Sequence, residues 1–130
     1  MGFNAGDKIE EVRITPDKYL PNRYAGASLD FNPIHVDKEL ATAVGLPGTI
    51  LHGLWSMSQV ARAATEAAGN DPTKVKSLSA QFRGMGQPEV EVVVTGEVTE
   101  VGDGTATIAL EAAQGDSRII RNSTAVIETT

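Results

Sequence analysis

The chain contains two histidines, and the first of them lies close to an aspartate on a predicted turn. Residues 28–37 read SLDFNPIHVD, so His35 follows Asp30 closely in sequence. Histidine is the common general base near neutral pH, and a nearby carboxylate can orient it or share its proton. Asn32 and Pro33 favour a stiff turn between the two groups. A structural alternative is that Asp30 only stabilises the turn and His35 packs or faces solvent.

The second histidine precedes a glycine at the start of a predicted helix, in the stretch TILHGLWSMS over residues 49–58. The first N–H groups of a helix have no intrahelical partner and favour negative charge. Because glycine allows close approach, the Gly53 N–H is a candidate donor to an acyl or thioester carbonyl, as in an oxyanion hole. The alternative is that His52 and Gly53 serve only packing.

Three further side chains are weaker candidates for substrate binding. Ser56 and Trp55 lie on the same predicted helix, where a serine usually bonds to the preceding turn and a tryptophan usually packs in the core. Arg83 ends a strand and could contact a phosphate, although a solvated arginine is the simpler interpretation. The sequence has no P-loop, GxGxxG motif, metal-ligand spacing or GxSxG elbow, so we expect no metal and no cofactor.

Composition limits the class of protein. A length of 130 residues without a linker or repeat predicts one domain over residues 1–130. The net charge of −6 argues against nucleic acid and anionic membranes as partners. The absence of cysteine fits a reducing compartment. No secretory signal is evident, and the longest uncharged stretch is interrupted by glycine and proline, so we expect a cytoplasmic protein without a membrane span.

The elements that must position these residues follow from local signals. The segment 6–14 alternates loosely and predicts a strand, and Thr15-Pro16 predicts a helix start, although Pro21 indicates a break or a later start. Residues 30–36 read as a loop. A helix over 37–45 is predicted from Asp37 as its N-cap and Gly45 as its stop. Residues 54–68 carry apolar and small side chains nearly all round, which is typical of a buried helix.

The second half of the chain predicts an antiparallel meander. Strands are expected over 76–83, 90–101, 105–112 and 118–128, and Gly102-Asp103-Gly104 is a hairpin turn. A sheet with its helices grouped on one face belongs to the α+β class. One long buried helix wrapped by a curved antiparallel sheet is the hotdog arrangement.

The stretch from Tyr24 to Ser58, YAGASLDFNPIHVDKELATAVGLPGTILHGLWSMS, resembles the hydratase motif of the MaoC-like family. That family includes the (R)-specific enoyl-CoA hydratases and the actinobacterial 3-hydroxyacyl-thioester dehydratases, and it has a hotdog fold. The shared pattern is an aromatic residue, then D-x-N-P-[ILV]-H, then [IV]-x-H-G-[ML] at the start of the long helix. The chain departs from some members at Ala61, where they carry a serine, and in the segment FRGMGQPEVEV.

The resemblance implies a role for each motif residue. Asp30 and His35 match the dyad that activates water, Asn32 matches the residue that braces the loop, and the Gly53 N–H matches the donor to the thioester carbonyl. We count His52 and Asn32 with the weaker candidates above as substrate-binding residues. The implied reaction is syn hydration of a trans-2-enoyl thioester to the (R)-3-hydroxyacyl product, or the reverse dehydration, without metal or cofactor.

The expected substrate is an acyl thioester, and CoA is favoured over acyl carrier protein because both the chain and that carrier are acidic. A homodimer is expected, since a lone hotdog domain exposes a sheet edge. A heterodimer with a non-catalytic sister subunit, acting on 3-hydroxyacyl carrier-protein or sterol side-chain thioesters, is the alternative, with this chain as the catalytic subunit. Two other classes stay open, which are a hotdog thioesterase and a non-catalytic acyl-binding subunit.

Overall fold

The computed structural model describes residues 2–130, and their polypeptide forms one antiparallel sheet with helices on one face. Among these residues, no helix is long and apolar enough to cross a membrane. The helices are α1 (Leu20–Ser28), α2 (Pro33–Val36), α3 (Lys38–Ala43) and α4 (Gly53–Ala67), with a 3₁₀ turn over Pro72–Lys74. The strands are β1 (Val12–Ile14), β2 (Val75–Phe82), β3 (Val92–Gly102), β4 (Thr105–Gln114) and β5 (Ser117–Glu128).

The five strands lie in the order β1-β3-β4-β5-β2, and every neighbouring pair is antiparallel. Along β4, alternate side chains are buried, as the two-residue period of a strand with one covered face requires. Ile108 and Ala112 belong to this buried set and are fully excluded from solvent. The helix α4 packs against all five strands, so the sheet wraps around it and the core lies between them.

The central position of α4 confirms the interpretation of its sequence. Val60, Ala63 and Ala64 are buried, and their small volume lets the helix approach the sheet closely. Its solvent side carries Leu54 and Arg62, which are exposed. The α+β class and the long helix wrapped by a curved antiparallel sheet are therefore as expected.

The meander and the helix α3 confirm further predictions. The Asp37 carboxylate accepts a hydrogen bond from the Leu40 N–H at 3.2 Å, as an N-cap does, and Gly45 follows the helix with φ of 96°. The hairpin between β3 and β4 has positive φ at Asp103 and Gly104, as a tight two-residue turn requires.

Two local predictions were wrong at the N-terminal end. The first strand covers only Val12–Ile14, because residues before it reach β3 through single contacts such as Ile9 N–H to the Gly96 carbonyl. Thr15-Pro16 starts no helix, since the Pro16 carbonyl accepts the Glu89 N–H. The helix α1 begins later, at Leu20, with Pro21 in its first turn, which is the alternative that this proline indicated.

The predicted loop over 30–36 was also partly wrong, because its second half is the single helical turn α2. Asn32 caps this turn, and its side-chain oxygen accepts the Ile34 N–H at 3.3 Å. Pro33 occupies the first helical position, where its missing N–H costs nothing. The turn chemistry recognised in the sequence therefore starts a helix instead of continuing a loop.

Candidate active site

The chain turns sharply between α1 and the aspartate of the motif. Leu29 ends α1 in the left-handed conformation, with φ of 64°, and its N–H bonds to the Ala25 carbonyl at 2.8 Å. The Ser28 hydroxyl donates to the Tyr24 carbonyl at 2.8 Å and accepts the Asp30 N–H at 3.2 Å. A non-glycine residue with positive φ is uncommon and costs conformational energy. The neighbouring hydrogen bonds hold this turn, and it fixes where the Asp30 side chain begins.

Asn32 connects the aspartate to the histidine through the backbone. The Asp30 Oδ1 accepts the Asn32 N–H at 3.3 Å, and the Asn32 carbonyl accepts the His35 N–H at 2.9 Å. These contacts agree with a bracing role for Asn32. A direct contact of Asn32 with substrate stays a prediction.

His35 is buried, and a backbone carbonyl fixes its tautomer. Its Nδ1 lies 2.8 Å from the Ile50 carbonyl oxygen, and a carbonyl oxygen can only accept, so Nδ1 carries a proton. In the neutral ring, Nε2 is therefore the acceptor, and it lies 3.8 Å from the Asp30 Oδ2. That separation is too long for a direct hydrogen bond. The Ile50 N–H bonds to the Ile34 carbonyl at 3.1 Å, which ties the accepting carbonyl to α2.

His52 lies directly against His35. The two rings stack with centroids 3.8 Å apart and planes 17° apart, and the Tyr24 ring lies 4.7 Å from His52 on a tilted plane. The His52 Nε2 is 3.0 Å from the Asp30 backbone carbonyl, so Nε2 carries the proton. The residue is only 2% exposed, and its Nδ1 is buried without a partner among the described residues.

A cavity of about 290 Å³ opens beside these residues. It is lined by Tyr24, Ser28, Asp30, His52, Gly53, Leu54 and Phe82. The Gly53 N–H begins α4 and donates to no described acceptor, so it is free for a ligand oxygen. The Asp30 side chain is 52% exposed, whereas that of His35 is 9% exposed and is not part of the lining. The cavity therefore brings together a carboxylate and a helix N-terminus, and the buried His35 imidazole lies beside the carboxylate.

Glycine at position 53 lets the Phe82 ring lie close against the start of α4. A Cβ atom there would lie 3.1 and 3.2 Å from two ring carbons of Phe82, which is closer than ordinary van der Waals contact. Phe82 ends β2, so this contact joins the start of α4 to the end of an edge strand. The position of the Phe82 ring therefore depends on the residue that carries the exposed Gly53 N–H.

Other predicted site residues lie elsewhere. Trp55 is 7% exposed and belongs to the hydrophobic core. Packing in the core was the alternative to substrate binding for this residue. Ser56 is buried on α4 and does not line the cavity. Arg83 lines a separate pocket of about 330 Å³ together with Arg118 and Arg121, on the sheet face opposite α4. Contacts of Trp55, Ser56 and Arg83 with substrate stay predictions.

Sequence reasoning did not assign four of the lining residues, which are Tyr24, Ser28, Leu54 and Phe82. The first two stand inside the quoted motif, and an aromatic residue ahead of D-x-N-P is the signal that could have identified Tyr24. No local signal identifies Phe82, because its strand is distant in sequence and reaches Gly53 only through the fold.

One cluster offers potential metal ligands. Ligand atoms of Asp30, His35 and His52 lie within 4.8 Å of one another. The lone pairs of imidazole lie in the ring plane, and a metal must be about 2 Å from each nitrogen. Because the two rings are stacked, their lone pairs run side by side and do not converge on one point. The geometry therefore does not fit a shared metal ion.

Comparison with known proteins identifies the family of the chain. The family model of the MaoC like domain matches residues 4–118. The chain is 38% identical over 85 residues to the enoyl-CoA hydratase ChsH3 of Mycobacterium tuberculosis, covering 65% of this chain and 29% of that protein. It is 39% identical over 85 residues to a fatty acid synthase subunit beta of Aspergillus oryzae, covering 64% of this chain and 4% of that subunit. The chain thus corresponds to a small part of these relatives.

The fold has a solved counterpart. A chain in the ChsH1-ChsH2 complex of Mycobacterium tuberculosis superposes with a TM-score of 0.85 and 23% identity, over 98% of both chains. This similarity supports the hotdog fold predicted from the element order.

Proposed function

Because this chain belongs to the MaoC-like dehydratase family, we propose that it catalyses the reversible syn hydration of trans-2-enoyl thioesters to (R)-3-hydroxyacyl thioesters. The observation that carries the proposal is the placement of three groups at one site. The Asp30 carboxylate and the Gly53 N–H line the same cavity, and the His35 Nε2 lies 3.8 Å from that carboxylate. Which direction predominates depends on the thioester supplied.

The dyad activates water in this proposal. A water molecule placed between the Asp30 carboxylate and the His35 Nε2 contacts both, because 3.8 Å suits two hydrogen bonds through one water and not one direct bond. Its oxygen attacks C3 of the enoyl group while one of its protons passes to the dyad. A proton from the dyad then reaches C2, so the elements of water add across the double bond. The two groups titrate as a pair, and the proton is assigned to the dyad as a whole.

The start of α4 supplies the electrophilic assistance. Attack at C3 places negative charge on the thioester oxygen, and the free Gly53 N–H together with the helix N-terminus stabilises that charge. Removing one such donor typically costs about 10²–10³-fold in rate. The apolar wall formed by Leu54 and Phe82 contacts the acyl part of the substrate.

The carrier in this proposal is CoA. An acidic chain with net charge −6 repels an acidic carrier protein, and the hydratase relative from Mycobacterium tuberculosis is named for a CoA thioester. We propose that residues 1–130 form one domain and that the protein is cytoplasmic. The absence of cysteine supports the cytoplasmic location. No metal or cofactor is needed for the proposed steps.

We also propose that a second copy of this chain covers the edge beside the cavity. In the described part of the chain, β2 pairs only with β5, and Phe82 and Leu54 beside it are 50% and 64% exposed. An unpaired edge with exposed large apolar side chains is a typical association surface. The expected mass in solution is twice the 13.7 kDa of one chain. A monomer that gains activity only with a sister subunit favours the heterodimer instead.

The decisive experiment mixes the purified protein with crotonyl-CoA and with longer trans-2-enoyl-CoA thioesters. Enoyl absorbance in the ultraviolet and free thiol are followed together. Loss of absorbance without thiol release, with an (R)-3-hydroxyacyl product, is the expected result. Thiol release indicates a thioesterase, and neither change in a folded protein indicates a non-catalytic subunit.

A further inference from the structure

The proposed steps use one of the two histidines, and the other is buried beside it. His52 is 2% exposed, more buried than His35 at 7%, although an imidazole is costly to bury unless its polar atoms are paired. The only hydrogen-bond partner of its imidazole among the described residues is the Asp30 backbone carbonyl, 3.0 Å from Nε2. That partner belongs to Asp30, which lines the cavity.

We propose that His52 is a positioning residue, which holds the Asp30 backbone through its Nε2–H and supports the His35 ring by stacking on it. This inference rests on the proposed hydratase function for its kinetic test but not for its spectroscopic one. The two rings then carry opposite tautomers, with the proton on Nδ1 in His35 and on Nε2 in His52. Each proton is directed at a backbone carbonyl, and each ring is fixed by it.

The unpartnered Nδ1 of His52 indicates that this ring holds the backbone, whereas the His35 ring exchanges protons. Nδ1 is buried and has no partner among the described residues, so a proton there would be a buried donor without an acceptor. It would also place positive charge against the stacked His35 ring, whose centroid is 3.8 Å away. The geometry therefore disfavours His52 as the group that exchanges protons, and we assign that exchange to His35 and Asp30.

The position of Asp30 makes this hydrogen bond important. Asp30 follows a left-handed residue, Leu29, and within the described part of the chain its own N–H is held only by the Ser28 hydroxyl at 3.2 Å. The His52 contact fixes the carbonyl side of the same residue. Without it, the peptide after Asp30 can rotate, and the carboxylate moves relative to the His35 Nε2. A displacement of about 1 Å in such a site costs on the order of 100-fold in rate.

The spectroscopic test uses the fact that the chain has only two histidines. Side-chain ¹⁵N correlation spectra of the full chain should show one ring protonated on Nδ1 and one on Nε2, and the variant His52→Phe assigns the remaining signals to His35. The expected result is the Nδ1–H tautomer for His35 and the Nε2–H tautomer for His52. A His52 ring that carries its proton on Nδ1 overturns the proposal, whatever the activity.

The kinetic test separates the donor from the ring. His52→Phe keeps an aromatic ring for stacking but has no donor, and its kcat for crotonyl-CoA hydration should fall by about 100-fold with KM changed by less than about threefold. His52→Gln keeps an N–H donor at a similar reach, and its kcat should fall by no more than about tenfold. Gln59→Leu is the matched control. Gln59 lies on α4, and like His52 it has a buried side-chain atom without a hydrogen-bond partner among the described residues. Its kcat should stay near that of the wild type.

The outcomes are distinguishable from failure of the proposed function. If the wild type hydrates no enoyl thioester, the proposed function fails and the tautomers alone decide the role of His52. If all three variants lose kcat equally, or if His52→Phe keeps wild-type kcat, the positioning role is wrong. Where His52→Phe does not fold, His52→Leu replaces it as the variant without a donor, and where neither folds the wild-type spectrum decides.

Discussion

The segment that we propose to be catalytic, residues 24–53, and the strand meander, residues 75–128, hold their residues in place by different means. In the meander, β3, β4 and β5 form long antiparallel ladders with a few register shifts, and most of their inward side chains are buried. In the catalytic segment, short helices are connected by single hydrogen bonds that involve side chains, such as those of Ser28, Asn32 and Asp37. Many weak contacts hold the meander in place, whereas a few directed hydrogen bonds hold the catalytic segment in place.

Because of this difference, we expect the stability of the fold to depend mainly on the meander and the reaction rate to depend mainly on the catalytic segment. Burial of apolar side chains in the meander stabilises the fold, because each buried aliphatic side chain is worth about 1.5–3 kcal/mol. The Asp30 side chain is half exposed and makes no packing contribution of that size. We therefore expect substitutions in the catalytic segment to change rates and substitutions in the meander to change the free energy of unfolding.

The largest expected effect is on the dyad. Asp30→Asn and His35→Gln should each lower kcat by about 10²–10⁴-fold, because each removes a positioned acid–base group. Thermal unfolding measured by circular dichroism should change little for Asp30→Asn, and the crotonyl-CoA assay gives kcat. Asp37→Asn is the matched control, since it lies in the same segment and asparagine is an equally good N-cap. Near-wild-type turnover in either dyad variant, or an equal loss in the control, contradicts the assignment.

The contrast between the regions also explains what the sequence could predict. Asp30, Asn32 and His35 are close in the chain, so their spacing already places them on one turn, and the glycine at the start of α4 is visible as a helix signal. The long strands of the meander were predicted because their patterns of β-branched and alternating residues extend over many positions. Local patterns are sufficient where neighbours in sequence are also neighbours in space.

Prediction failed where a distant partner decides. Thr15-Pro16 has the chemistry of a helix start, but the Glu89 N–H binds the Pro16 carbonyl and keeps the chain extended. The tautomer of His35 depends on the Ile50 carbonyl, and the wall of the cavity depends on Phe82. These contacts exist only after folding, so no pattern in one segment contains them.

The next largest effect is expected in the meander, on the free energy of unfolding. Ile108 is fully buried in β4, and Ile108→Ala should lower the free energy of unfolding by about 2–5 kcal/mol through lost burial and a cavity. Ile108→Val should cost only about 0.5–1.5 kcal/mol. Urea denaturation measures both values. At a temperature where the variants are folded, kcat for both should stay within about twofold of the wild type, and a large loss of kcat in folded Ile108→Val would show that the meander also tunes the chemistry.

The smallest effect tests the point where the two regions meet, which is the contact between Gly53 and Phe82. Gly53→Ala keeps the N–H that we assign to the thioester carbonyl, but its Cβ would lie 3.1 Å from the Phe82 ring. The ring must shift, and we expect kcat/KM for crotonyl-CoA to fall by about tenfold, which corresponds to an ordinary coupling energy between residues in contact. The double variant Gly53→Ala with Phe82→Leu removes the clash and should recover most of that loss, relative to Phe82→Leu alone. Without recovery, the loss comes from a changed direction of the N–H itself, and the start of α4, instead of the sheet, sets the geometry of the carbonyl site.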